Sequence, residues 1–543
     1  MLTLLSSKHR QQSKSTTAAH APNFTLSIRN TLNIGINTYL NIGLTVCILL
    51  SYQLCYGEST NEGCNHGDTQ RPVYGAECRF ISVHENPSDP SSKTIAVFVT
   101  RVKSIQQTEK APIFFISGGP GQASSDLLPL FRYYFSALLV DHDFVFVDQR
   151  GTGKSAPLNC DTDILEHTDT PLDQAEARAF QAHKACVEEF DADLTRYTTP
   201  YAVKDLEHVR EVLGYKKIFL WGASYGTRVI LEYLRSAPSA VEGAILDGVA
   251  PIAIQLPHYI EQDGSTALAK VFDLCRNNTP CQQAFPDLEK RWLTLLTELT
   301  QKSRTIDLKH PRTQNSHTVL IDDQILSSWV RSILYSREVS PILPLAIHRA
   351  TQNDFLLLFS IFGLSADQMS KEISEGMHSA VLCAEDHHYA ALNPAKGNPA
   401  DLTKPAYTRL LHLDSSKAFA RTCSLYPSST LPADYFTPVT STVPSLLLSG
   451  KLDPATPPKW AELASKSLSN ARHLQVEGGH HMVSRLGCMP KLITQFIQQP
   501  SHLNTLDVEC INNIRPTDFF IDSAGPALRS ITETDKTQGK DTP

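Results

Sequence analysis

The stretch Lys217-Ile218-Phe219-Leu220-Trp221-Gly222-Ala223-Ser224-Tyr225-Gly226, continuing into Thr227-Arg228-Val229-Ile230-Leu231-Glu232-Tyr233-Leu234, decides the fold. Its first part is a continuous apolar run ending at Trp221, the pattern of a strand covered on both faces. Val229, Ile230, Tyr233 and Leu234 then recur at helical spacing. Between the two, a serine stands with glycine two residues away on either side, so the chain is expected to turn sharply from strand into helix around it. Working outward, residues 113–116, 144–147, 244–246 and 446–448 are further unbroken apolar runs. Val203, Leu206, Val209 and Leu213 predict a helix crossing over before the strand that ends at Trp221. Strand, crossover and strand repeated in this way predict an α/β fold with a mostly parallel sheet. Residues 79–83 and 94–102 are expected to open it as an antiparallel pair.

The regular pattern stops between 255 and 435. That segment reads as helical, with Leu268, Val271, Phe272 and Leu274 and then Trp292, Leu295, Leu296 and Leu299, and it shows no strand runs. It separates two sheet strands, so it is expected to be an inserted helical cap. The resulting organisation is a core in two parts, 70–254 and 436–511, with the cap at 255–435 and a polar tail at 512–543. No internal repeat is visible.

Residues 1–57 read differently. The first 35 or so carry Lys8, Arg10, Lys14 and Arg29 without an acidic residue, and 39–56 is an uncharged, mostly apolar run. That order is the one an export signal takes. At about 18 residues the run is also just long enough to act as an uncleaved membrane anchor. Of the 12 cysteines, Cys47 and Cys55 fall in this segment. The others (Cys64, Cys78, Cys160, Cys186, Cys275, Cys281, Cys383, Cys423, Cys488 and Cys510) form an even set outside any CxxC spacing. Disulfides in an exported protein explain such a set. Cys275 and Cys281, flanked by Asn277, Asn278 and Pro280, are expected to staple a small loop, whereas the other pairings do not follow from spacing. A net charge of −7 without a basic stripe argues against nucleic acid as a partner.

A serine hydroxyl becomes a nucleophile when a base takes its proton and a carboxylate holds that base in one tautomer. With Ser224 as nucleophile, the partners are expected downstream, acid before histidine. Asp453 follows the apolar run at 446–448 and is the expected acid; Asp247, at the end of another strand, is its rival. His480 and His481 follow the run at 474–476. The glycine pair Gly478-Gly479 favours His480 as the base, with His481 the alternative. Acyl transfer also needs donors for the developing oxyanion. Ser117-Gly118-Gly119-Pro120-Gly121 follows the first buried strand, so the N–H groups of Gly119 and Tyr225 are the expected pair.

Two other motifs point elsewhere. Gly151-Thr152-Gly153-Lys154-Ser155 has Asp148 where a phosphate-binding loop needs its first glycine. Neither His387-His388 nor His480-His481 belongs to a suitably spaced metal-ligand set. The chemistry requires no cofactor and no metal.

Three motifs in order, Gly118-Gly119-Pro120-Gly121, residues 148–155 and residues 222–226, resemble the proline iminopeptidase family. The region from Pro444 to about Cys488 is similar to the tripeptidyl aminopeptidase version of the same α/β-hydrolase fold. The resemblance implies an exported serine exopeptidase acting on peptides with a free N-terminus. It also implies cap acids that bind the substrate ammonium, for which Glu385 and Asp386 stand in the matching segment. Ser117 departs from the histidine that usually opens the family's oxyanion loop, and Gln122 replaces a further small residue. The alternatives are a carboxylic-ester hydrolase using the same triad and a non-catalytic binding protein on the same fold.

Overall fold

A computed structural model of the chain describes residues 64–66, 71–72, 75–160, 172–255, 258–309, 314–387, 408–414 and 416–527. The apolar run at 39–56 lies outside them. Among the described residues no helix is long and apolar enough to cross a membrane.

The first part of the core supplies strands β1 (Ala76–His84), β2 (Thr94–Val102), β3 (Ile113–Ile116), β4 (Phe144–Val147), β5 (Ile218–Ala223) and β6 (Val241–Asp247). Its helices are α1 (Leu128–Tyr134), α2 (Leu172–Glu188), α3 (Thr199–Val212) and α4 (Tyr225–Ser236). The insertion carries α5 (Ile260–Arg276), α6 (Thr279–Ala284), α7 (Leu288–Gln301), strands β7 (Arg304–Lys309) and β8 (Ser316–Ile321), α8 (Asp323–Leu334), α9 (Leu343–Ala350), α10 (Leu356–Glu372), α11 (Glu375–Leu382) and α12 (Ser416–Cys423). The chain then returns to the core with β9 (Ser445–Gly450), α13 (Pro458–Ser465), β10 (Ala471–Val476) and α14 (Met489–Gln498).

Eight strands form one sheet in the order β10-β9-β6-β5-β3-β4-β2-β1. β1 and β2 pair antiparallel, β2 meets β4 antiparallel, and every other contact is parallel. Alternation along the central strands divides two hydrophobic clusters. Phe114, Ile116, Val145, Val147 and Leu220 face the α3 and α4 side with Val203, Val209 and Ile230. Phe115, Phe146, Phe219 and Trp221 face the α1 and α14 side with Phe131 and Phe496. Strands buried on both faces have no polar face to show, which is why they read as unbroken apolar runs.

The cap has a separate core around Trp292, Leu296, Trp329 and Leu343. It is not wholly helical: β7 and β8 form an antiparallel hairpin, Arg304 opposite Ile321. Only Leu308, Val319 and Ile321 of that hairpin are buried, too few for a visible strand run.

The expected tail also needs correction. Ile514 and Phe519 are buried, and Phe519 joins the cap core. Strands β11 (Phe520–Asp522) and β12 (Gly525–Pro526) follow as a short hairpin. Isolated apolar residues in a polar sequence gave no periodic signal for this docking.

The described cysteines pair as Cys64–Cys78, Cys160–Cys186, Cys275–Cys281, Cys383–Cys423 and Cys488–Cys510. The staple expected at 275–281 is present. The Cys383–Cys423 bridge joins the end of α11 to α12 across a separation of 40 residues. Closing a loop of that length restricts the unfolded chain by about 4 kcal/mol in the chain-entropy model. Replacing both cysteines by serine is therefore expected to reduce unfolding free energy by a few kcal/mol, read as a lower denaturation midpoint with the other bridges intact.

Candidate active site

The turn after β5 brings the serine to the carboxyl edge of the sheet. From Ile218 to Leu234 every residue is buried except Ser224, which is partly exposed. Its backbone sits at φ 54°, in the left-handed region that a non-glycine residue occupies only when its surroundings hold it there. They do so here. Ser224 N–H donates to Asp247 O at 2.8 Å, and Thr227 Oγ1 donates to Ser224 O at 2.6 Å while accepting from Ala250 N at 2.8 Å. Glycine at 226 is a steric requirement, since a Cβ there would lie 2.3 Å from Ile116 O.

The Ser117–Gly121 loop leaves the neighbouring strand β3 and passes directly over the serine. A Cβ on Gly118 would be 3.0 Å from Ser224 Cβ and 3.6 Å from Oγ. Tyr225 opens α4, so its N–H is among the first of that helix, which helical geometry leaves without an intrahelical acceptor. The cap braces the glycine loop from outside. Ser374 N donates to Gly121 O and His378 Nδ1 donates to Pro120 O, each at 2.9 Å.

Asp453 lies beyond the end of β9 in a tight cage. Its Oδ1 accepts from the amides of Ala455 and Thr456 at 2.7 and 2.9 Å, and its Oδ2 accepts from Thr456 Oγ1 at 2.7 Å. Its remaining partner is His481, whose Nδ1 lies 2.9 Å from Oδ2. Burial alone would raise the Asp453 pKa, but the His481 charge, its hydrogen bond and the two amides hold it at about 2. Burial likewise opposes charge on His481, yet Asp453 outweighs it and raises the imidazole pKa, with Arg331 acting in the opposite sense.

The expectation for His480 is therefore corrected: the structure pairs Asp453 with His481. Adjacent side chains diverge, and His480 Nδ1 instead donates to Leu334 O at the end of α8, at 2.7 Å. Burial lowers the His480 pKa. Asp247, the rival acid, has a different task. Its carboxylate accepts from the amides of Val483 and Ser484, both at 2.9 Å, and so fixes the loop that carries His481. His481 thereby stands over the end of β6, its Cε1 3.3 Å from where a Cβ on Gly248 would be. The residue before Gly248 is the one that receives the Ser224 amide.

Glu385 and Asp386 are buried, not exposed, and both turn onto α4. Arg228 Nη1 donates to Glu385 Oε2 at 3.3 Å, and Nη2 donates to Asp386 Oδ1 at 3.2 Å. Glu385 also accepts from Thr199 N at 2.6 Å, Thr199 Oγ1 at 2.9 Å and Tyr435 Oη at 2.7 Å. Thr199 Oγ1 lies 2.8 Å from Tyr225 Oη. The acids expected to meet a substrate ammonium are thus engaged with an internal cation that sequence reading had not paired with them.

The glycine-rich stretch at 151–155 is structural. Asp148 accepts from Ser125 N at 2.9 Å and Lys154 N at 3.2 Å, and burial pushes its carboxyl up to about 6. Arg150 grips Asp205 on α3 through two bonds of 2.6 Å. Among the described residues no group of His, Cys, Asp and Glu could hold a metal ion.

A family model described as alpha/beta hydrolase fold matches residues 111–331, and one described as TAP-like protein matches residues 413–510. The tripeptidyl aminopeptidase of Streptomyces lividans is 29% identical over 190 residues, 32% of this chain and 35% of that protein. The proline iminopeptidase of Arabidopsis thaliana is 24% identical over 249 residues, 46% of this chain and 51% of that one. The chain thus spans about a third to a half of the length of these relatives. A solved proline iminopeptidase from Mycobacterium smegmatis aligns over 79% of this chain and 100% of its own, at 14% identity and a TM-score of 0.33.

Removing one partner from a buried ion cluster leaves the other charge uncompensated, at a typical loss of about 3 to 5 kcal/mol. Glu385→Gln is accordingly expected to destabilise the fold by that order, read from denaturant unfolding. A substitution that left stability unchanged and altered only substrate affinity would instead place Glu385 on the substrate.

Proposed function

Since the chain belongs to the α/β hydrolases and carries a TAP-like C-terminal part, we propose that it is a serine exopeptidase releasing residues or short peptides from free N-termini. The observation that carries the reading is the buried Asp453–His481 pair at the sheet edge where the Ser224 elbow emerges. Ser224 Oγ attacks the scissile carbonyl as His481 takes its proton. Asp453 holds the imidazole with Nδ1–H toward itself and stabilises the imidazolium. The N–H groups of Gly119 and Tyr225 receive the oxyanion. His481 then returns the proton to the leaving amine, and water, activated by the same imidazole, releases the acyl group and restores the serine. Each turnover consumes one peptide bond and one water.

The relatives named tripeptidyl aminopeptidase and proline iminopeptidase favour an amide substrate with a free amine over an ester. The five disulfides among the described residues favour an oxidising compartment, which supports a location outside the cytoplasm with 39–56 as export signal or tether.

Aminoacyl and tripeptidyl amides, free and N-acetylated, should be compared beside short-chain esters. Cleavage of the free-amine amides, blocked by acetylation and abolished in Ser224→Ala, is the expected result. Turnover of esters alone would leave an esterase. His481→Ala should reduce kcat by about a thousand-fold or more, whereas His480→Asn, which keeps a donor for Leu334 O, should retain most activity.

The pH profile follows from the His481 pKa. The base must be neutral, so kcat is lost as pH falls through a pKa raised above the ordinary 6.5. In Asp453→Asn the larger attraction is gone and only the weaker pull of Asp247 remains, while burial still disfavours the imidazolium. The acid limb should then move to lower pH as kcat drops about ten-thousand-fold.

A further inference from the structure

The cations around the histidine loop are almost all committed. Lys270 donates to Lys451 O at 2.6 Å, and Arg337 donates to Gly478 O and Arg515 O, both at 2.9 Å. Arg228 is held by Glu385 and Asp386. Arg331 on α8 is different. Its hydrogen bond among the described residues is from Nη2 to Tyr335 Oη at 2.8 Å, and its buried Nε has no acceptor. Its stem lies against α5 where Gly264 leaves room, Cδ 3.5 Å from the position a Cβ would take. The acid beside that glycine, Asp263, is paired with Lys459 at 2.5 Å and Trp460 Nε1 at 2.8 Å. No carboxylate among the described residues pairs with Arg331.

One ring links this guanidinium to the catalytic base. The Tyr335 ring meets His481 edge-on at 5.2 Å between centroids, and Arg331 Cζ lies 5.1 Å from the centre of the same ring. Tyr335 O also accepts from His481 N at 3.3 Å. In acyl transfer the imidazole hands its proton to the leaving amine, so groups beside it border the leaving-group side of the scissile bond. An arginine without a carboxylate partner there has the planar fork that carboxylate recognition uses.

We propose that Arg331 binds the C-terminal carboxylate of short peptide substrates, with about one to three residues beyond the scissile bond, given some 3.5 Å of reach per extended residue. The inference rests on the exopeptidase reading and adds to it a preference for oligopeptides with a free C-terminus over long chains. An arginine is required because a carboxylate leaving water needs both charge and hydrogen bonds returned to it.

The test uses the full chain and matched tri- and tetrapeptides of one sequence, ending in a free acid or an amide. The wild type should cleave the free acids with kcat/KM about tenfold higher, the size of one charge-assisted hydrogen bond. Arg331→Gln should collapse that ratio toward one through KM, and Arg331→Lys should restore part of it. Equal rates on both termini in the wild type, or an undiminished ratio in Arg331→Gln, would overturn the assignment while leaving the exopeptidase reading standing. Failure to cleave either peptide, with esters turned over, would remove the exopeptidase reading and the inference with it.

Discussion

A fully buried carboxylate is expensive unless its lone pairs are answered, and those of Asp453 are answered by its own turn and by one histidine from the next loop. Two amides and one hydroxyl from Ala455 and Thr456 fix its orientation, leaving one direction for His481. This explains why an acid deep in the protein stays ionised, at a pKa of about 2, against the burial that would raise it. An ionised Asp453 in turn selects the His481 tautomer with Nδ1–H toward the carboxylate, leaving Nε2 as the basic nitrogen. Every step of the proposed acyl transfer draws on that one constraint.

The loop bearing His481 is held from three sides, and the cap provides one of them. Asp247 receives the amides of Val483 and Ser484 from below. Ile514 O receives Gly478 N from the C-terminal segment. From above, the end of α8 receives His480 Nδ1 on Leu334 and His481 N on Tyr335. The insertion therefore does more than cover the sheet edge: a shift of α8 would act on His481 directly. Its other end, through Ser374 and His378, touches the glycine loop beside Ser224. The Ser224 side and the His481 side of the candidate site are thereby braced by the same inserted domain.

What sequence could show was set by local physics. The central strands were legible because burial on both faces demands unbroken apolar runs, and the elbow because its turn admits only small residues beside the serine. Asp453 could be singled out from its place after β9, and the structure sets it against a histidine. The choice between His480 and His481 was not legible, since it depends on which of two diverging side chains meets a carboxylate brought from another strand. The acid pair shows the same limit. Glu385 and Asp386 could be noticed, but their engagement by Arg228 joins residues more than 150 positions apart. The cap hairpin and the docking of Phe519 escaped for a simpler reason, because two or three buried side chains per segment do not make a period.

The charges around the elbow are arranged asymmetrically. On the α4 side, Arg228 sits with Glu385 and Asp386 in a closed network one turn from Ser224, its bonds reaching Tyr225 through Thr199. That network holds the helix whose first N–H groups border Ser224. In the proposed reaction its value is rigidity, because a donor that must not reorganise is worth more than one that moves. On the histidine side, burial and, more weakly, Arg331 oppose charge on His481, while Asp453 and Asp247 favour it and raise its pKa. A base pulled too far upward would stay protonated at neutral pH and could not accept the serine proton. Burial, with a smaller contribution from Arg331, thus tempers the pull of Asp453. In the proposed mechanism, a carboxylate bound to Arg331 would offset part of its charge and strengthen the imidazolium at the stage when His481 carries one.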